Sequence, residues 1–566
     1  MSPIARKTLT FLISLMALLA APALASAATD RWVDAETGSN AGGNNCKVQA
    51  NPCATIMQAG NNSQTEGNFG TIHVDQGTYP EAVIIAQGNV LTPDDFVPGD
   101  SGPTRIAPTG VGVAAFAQAN ATIEGFEISA PNSSTVALVS DNATLRDNVI
   151  TASANNSTAV DARNGIGASK PTVEDNTILG DSGDEAVGIV VNAGTTDADI
   201  LRNEIGEPGA HGFDRGIWVR DNASANVAGN QVRGSDQFMG SNARGILLER
   251  TDDVTVSGNL VTSPVIAAGQ QADGIYINGA LDGSTVALDH NAVRAMSGIG
   301  VVAIETDGSA VTMDDDLVAA NSDRAMYIGN VDDMSITNAT VDGNDPVVMN
   351  TASVAIDSSI FATPISSDGG TVSCEISYSR GPAITEGGSG CAEFQTTADP
   401  QFVDRFAFDY HLEQDSPLID AGNPAAPPAG AVDVDGDSRA LEGDGECPID
   451  VERDMGIDEV VAPQPDCRPE VPQDPPDTTA PDTAIVGAAK QRSHRARFQI
   501  TSTEDGSTFE CRLDRGRFAP CDSAFRSRKL NYGRHTLFAR ATDAAGNTDG
   551  SAAALKFKLK PKRRLR

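Results

Sequence analysis

Aromatic side chains are scarce in this sequence: they make up 5% of its 566 residues, with only two Trp and six Tyr. Whatever core the chain builds must therefore rest on Ile, Val, Leu and Ala. Histidine is equally rare, at six scattered copies, and none has the neighbours that a catalytic triad or a zinc site requires. In the repetitive middle of the chain, helical apolar spacing is never sustained over three turns, which excludes crossover helices there. Lys and Arg are in short supply before Pro481, at 21 against 68 Asp+Glu (net −47), while the remainder holds 19 against 8 (net +11). An acidic body thus carries a basic end, finishing in Lys560, Lys562, Arg563, Arg564 and Arg566. Such an end attracts polyanions. Wall polymers or lipid head groups are the expected ones, nucleic acid is not, and a merely solubilising terminus is the alternative.

What is present begins with an export signature. Arg6 and Lys7 precede an apolar run from Leu9 to Ala20, and Ala25-Ser26-Ala27 offers a cleavage site. Residues 1–27 read as a secretory signal peptide, too short to span a bilayer, and no later stretch is long and apolar enough. The eight cysteines fall into four neighbouring couples, Cys46–Cys53, Cys374–Cys391, Cys447–Cys467 and Cys511–Cys521. Local couples suit an oxidising compartment, though spacing does not fix the connectivity. Zinc would want paired CxxC knuckles or histidines beside the cysteines, and these are missing. A secreted or envelope-associated monomer is expected.

The middle of the chain is periodic. A strand signature starts at Gly188, Gly216, Gly245, Gly274, Gly298 and Ala325, at steps of 28, 29, 29, 24 and 27 residues. A second signature keeps step with it, starting at Asp147, Asp175, Arg202, Gly229, Gly258 and His290. Short strands at this period describe an all-β solenoid, each repeat one coil, its aliphatic side chains stacked in columns ~4.8 Å apart. The asparagines in the second signature (Asn148, Asn176, Asn203, Asn230, Asn259, Asn291) read as a hydrogen-bonded ladder. The tripeptides at Asn120, Asn142, Asn222 and Asn338 read as turn chemistry rather than glycosylation sites.

These repeats resemble the right-handed parallel β-helix family, which includes pectate lyases and other polysaccharide-degrading enzymes. WVDAETGSN from Trp32, NPCATI from Asn51 and GTIHVDQGTYPEAVII from Gly70 resemble its opening coil in secreted members. ADPQFVD from Ala398, FDYHLEQDSPLIDAGNP from Phe408, DVDGDSRALEG from Asp433 and RDMGIDE from Arg453 resemble the choice-of-anchor Q module. That resemblance implies a unit that closes a β-helix ahead of an anchoring device at the bacterial surface. The prolines of 462–481 form an extended spacer, and the alternating residues beyond it resemble a bacterial Ig-like β-sandwich. The expected organisation is 1–27 signal peptide, 28–397 parallel β-helix, 398–461 end module, 462–481 linker, 482–555 sandwich and 556–566 basic tail.

Strand alternation then nominates a surface. With Ile217 and Val219 inward, Trp218 and Arg220 point out, and the outward column reads Val190, Trp218, Leu247, Tyr276, Gly300, Tyr327. Trp218, Tyr276 and Tyr327 on alternate coils would stand ~10 Å apart, close to a disaccharide repeat, and are the candidate sugar-stacking residues. Asp214, Arg215, Arg220, Arg244, Glu249 and Asp273 flank them. A lyase would need an arginine-like base and acids, often with Ca²⁺; a hydrolase would need a carboxylate pair. The NTD, paired-Asp, GHG and RIK signatures of polygalacturonases are absent, with Ala210-His211-Gly212 a partial echo, and so is the RxPxxR of pectate lyases. The reading is therefore a protein that binds an extracellular polysaccharide or anionic wall polymer without catalysis. A lyase or hydrolase in the same groove, and a purely structural or adhesive role, are the alternatives. No cofactor is expected save Ca²⁺ at Asp433, Asp435 and Asp437, where an EF-hand-like start departs from the pattern at Ser438 and Asp444.

Overall fold

The computed structural model describes residues 29–560 except 95–101, 111, 155, 164–169, 181–185, 196, 208–211, 235–242, 264–271, 296–297, 307, 385–389, 426, 429, 440–452, 461–476 and 492–494. The signal segment, the Cys447–Cys467 couple, most of the Pro-rich spacer and the last six residues lie outside the described residues. Among those described, no helix is long and apolar enough to cross a membrane.

The repeats wind into a right-handed tube of three parallel faces. One coil supplies Arg215–Arg220 to the first face, Ala225–Ala228 to the second and Gln231–Arg233 to the third. The next coil stacks Ala243–Thr251, Val254–Ser257 and Leu260–Thr262 on them in parallel register. Among the described residues the third face alone has 12 strands, from Gly77–Tyr79 to Ile360–Phe361. Met326–Thr337 and Val347–Asp357 run through the first corner unbroken, so the first two faces merge into one sheet.

Inward columns of aliphatic residues hold the tube together. Ile217, Ile246, Ile275, Val301 and Met326 stack on the first face, Val227, Val256, Leu288, Met313 and Ile336 on the second, and all are buried. Each contributes about 1.5–3 kcal/mol by leaving water. The glycines of the strand signature answer a different need. A Cβ at Gly216, Gly245, Gly274 or Gly300 would lie 2.3, 2.3, 2.2 or 2.5 Å from the Cγ1 of Val232, Val261, Val293 or Val318 across the tube. Only a residue without a side chain lets the first face approach the third so closely.

This packing corrects the register read from sequence. Gly300, not Gly298, stacks beneath Gly274, and the outward partner of Tyr276 is Val302, not Gly300. The two glycines of Gly298-Ile-Gly300 match the signature equally well, and only contact with Val318 decides between them. The aromatic alternation survives, because Val302 pairs in turn with Tyr327.

The corner between the second and third faces is a two-residue turn. Its first position has positive φ (59° at Asp147, 56° at Asp175, 53° at Arg202, 55° at His290), and glycine takes it at 229 and 258. Its second position is the buried asparagine. The backbone N–H of Asn148 donates to Asn176 Oδ1 at 3.0 Å, and the pattern repeats through Asn203, Asn230, Asn259 and Asn291. The ladder passes to Asp316, whose carboxyl is driven far above its ordinary range by burial, and a serine segment continues it through Ser359 and Ser379. Asn120, Asn142, Asn222 and Asn338 also occupy positive-φ positions.

The first coil is covered by a helix, Ile56–Glu66, which turns Ile56, Ala59, Gly60 and Ser63 onto the core and is capped by Thr55. At the other end Phe394 packs on Phe361, and Cys374–Cys391 ties the last coil. Cys46–Cys53 and Cys511–Cys521 are also formed. The described residues of 398–439 and 453–460 lie along the flank of the last coils rather than across their end. Tyr410 and Ile457 pack on Leu317 and Ala319, and Leu412, Leu418 and Met455 on Ile360. Beyond the spacer, a three-stranded and a five-stranded sheet, predominantly antiparallel, share one small core that includes Phe498, Ile500, Leu537 and Phe557.

Candidate functional site

The outer surface of the first face brings the nominated residues together. Trp218 is the partner of Leu247 on the next coil, Leu247 of Tyr276, Tyr276 of Val302, and Val302 of Tyr327. The valine and leucine are buried, so the three rings stand out between lower steps. The rings do not stand alone. The guanidinium of Arg220 lies 4.3 Å and that of Arg215 4.8 Å from the Trp218 ring centroid, and Arg244 lies 3.8 Å from that of Tyr276. Each contact adds cation–π attraction and fixes both partners. The Trp218 indole N–H donates to Glu249 at 3.2 Å. Tyr327 lies over Gly329, where a Cβ would come within 3.0 Å of its ring.

Two polar residues that the sequence did not single out extend the strip. Arg220 Nε donates to Asn192 Oδ1 at 3.0 Å, and Asn192 donates to Asp161 Oδ1 at 2.6 Å, linking three successive coils. Asp161 is the outward partner of Val190, so carrying the column one coil further back would have found it.

The carboxylates are placed differently from the arginines. Asp214 and Asp273 are buried, at 7% and 2% exposure, and Asp273 Oδ1 accepts the Ile299 N–H at 3.0 Å. Strict alternation fails here: Gly216 and Ile217 are both inside, which turns the residues before them out of phase. Glu249 keeps its bond to Trp218. The Tyr276 phenol is pushed above its ordinary range, first by burial and then by Asp273 and Glu305, against the pull of Arg244. A phenol held protonated in this way is a hydrogen-bond donor at neutral pH, not a base.

The acidic turn at Asp433 is a second site to weigh. Asp433 is buried and accepts from the backbone N–H groups of Asp435, Asp437 and Glu459 at 3.0, 2.8 and 2.9 Å. Those bonds occupy its carboxylate and close the turn. Asp437 is exposed, while Asp435 reaches His411 Nε2 at 3.0 Å. Ligand atoms of His411, Asp435 and Asp458 lie within 4.8 Å of one another, and this trio, rather than the three nominated aspartates, has the spacing to share a cation. His411 also contacts Asp409 and is held above its ordinary pKa by these carboxylates against the effect of burial, which accounts for the cluster as a paired imidazolium.

A family model described as "Right handed beta helix region" matches residues 104–261 and 215–393, together just over half of the chain. The match stops short of the end module and the sandwich. No curated protein matches the chain.

Proposed function

The chain belongs to the right-handed β-helix family, and from that premise we propose an exported envelope protein that holds an extracellular polysaccharide along the first face. The observation that carries this reading is the set of guanidiniums fixed over Trp218 and Tyr276. Ring edges and arginine N–H groups are presented in a row, with rings on alternate coils, ~10 Å apart at the usual strand spacing, and little motion left to lose on binding. Arginine forks pair with carboxylates in bidentate fashion, so uronate-containing polymers are favoured over neutral ones. Binding without cleavage is favoured over lyase or hydrolase chemistry by the carboxylates: two are buried and the third is engaged by an indole. The three disulfides among the described residues support an oxidising compartment.

The test is a glycan array and digestion screen on the full chain beside Trp218→Ala/Tyr276→Ala. Binding lost in the double variant, with no new reducing ends or unsaturated products, supports the proposal. Products formed by the wild type would replace it with the enzyme reading. Silence across a broad panel would leave a structural or adhesive role.

A further inference from the structure

The outer surface of the three-stranded sheet in the sandwich carries an unusual pair. Arg497 and Arg526 are direct cross-strand partners, with Phe498 and Phe525 beside them. Two like charges facing each other across an antiparallel ladder repel, unless an anion sits between them. One does: Asp147, on the turn ridge of the β-helix, accepts Arg497 Nη2 at 2.5 Å and lies 3.0 Å from Arg526 Nη2. A second contact, Gln76 Nε2 to Tyr532 Oη at 2.9 Å, holds the same two bodies together.

The neighbouring charges on the ridge are matched within the β-helix itself, Arg146 with Glu124 and Arg202 with Glu174 and Asp175. Asp147 instead pairs with the sandwich, and a cavity of about 700 Å³ opens beside it, lined among others by Arg495, Lys529 and Tyr532. Its β-helix wall also carries Glu124, Glu127 and Asp175, of which Glu124 and Asp175 pair with Arg146 and Arg202, while its sandwich wall carries Arg495, Arg497, Arg526 and Lys529, so the sandwich side is the one that can take up a further anion.

We propose that Arg497 and Arg526 form an anion fork for a polymer of repeating carboxylates or phosphates. Asp147 occupies the fork in the closed arrangement, so binding the polymer and releasing the sandwich are one event. The fork is separate from the outer strip of the first face and does not depend on it.

The experiment uses the full chain with Trp218→Ala/Tyr276→Ala, which silences the strip, and titrates polygalacturonate, inorganic polyphosphate and neutral dextran. Adding Asp147→Asn removes the internal competitor, and affinity for at least one polyanion should rise several-fold. Adding Arg497→Gln/Arg526→Gln should weaken that binding about tenfold, the scale of lost charge-assisted pairs. Small-angle scattering should show the chain lengthening as the preferred polyanion is added. The better of the two polymers tells carboxylate from phosphate recognition. Unchanged affinity in Asp147→Asn, or wild-type affinity in the double glutamine variant, would overturn the proposal.

Discussion

At Gly245 a missing side chain does structural work that no hydrophobic residue could replace. Valine there would drive its Cβ into Val261 Cγ1, at 2.3 Å, and into the Gly274 carbonyl, at 2.8 Å. Gly245→Val should therefore cost at least the ~1–3 kcal/mol typical of overpacking. Equilibrium denaturation with an unchanged midpoint would refute the close approach. Asn230 makes the complementary point with polar atoms. Its Oδ1 accepts two N–H groups of Asn203, and its Nδ2 donates to the Ile200 carbonyl at 2.8 Å, all in the dry interior. Asn230→Ala leaves these groups without partners, at ~1–3 kcal/mol each for the worst placed. The readout is faster amide exchange at Asn203, whose backbone N–H loses its acceptor, than at its neighbours.

At the scale of elements, the flank module is fastened by ionisable groups whose balance depends on pH. Arg439 is fully buried between Asp315 and Glu459, and His290 Nε2 meets the Val432 carbonyl at 3.1 Å. Burial pushes Glu459 up to about 8 and Asp315 to about 7, while the bond to Asp289 pushes His290 to about 9. All three act in one direction. The imidazolium contribution is complete below the ordinary histidine pKa of ~6.5 and is lost as pH rises through about 9. The two acids prefer their protonated forms in the fold, so their contribution also falls as pH climbs from the ordinary carboxylate range through 7 to 8. Amide exchange in Asp409–Leu412 and 453–460 should therefore quicken between pH 6.5 and 9 relative to the inner coils, after correction for intrinsic rates. Equal protection across that range would rule the mechanism out. The elements were legible in sequence to different depths. Coil period, inward columns and the asparagine ladder follow from alternation and spacing, which local chemistry dictates. The exchange of Gly298 for Gly300, the burial of Asp214 and Asp273, and the helix Ile56–Glu66 depend on what lies across the tube or over its open end. No one-dimensional pattern encodes those contacts.

For the whole molecule, the placement of the two appendages bears on where a ligand can lie. The flank module packs beside the ladder corner and third face of the last coils, through His290, Asp315, Leu317 and Ile360. The sandwich meets the same ridge near the start of the tube, at Asp147. Both have gone to one side, and in neither case do these contacts involve Trp218, Tyr276 or Tyr327. The ridge is a row of positive-φ turns at coil spacing, and one of them, at Asp147, presents a carboxylate to a body of opposite charge. The division predicts that binding along the first face is independent of the sandwich. A chain ending at residue 470 should match, within experimental error, the affinity of the full chain whose fork is silenced by Arg497→Gln/Arg526→Gln, while Arg220→Ala/Arg244→Ala in the full chain should lose binding about tenfold, the scale of two charge-assisted contacts. Affinity that fell with the truncation and survived the double substitution would move the binding surface to the ridge, with the sandwich as one of its walls.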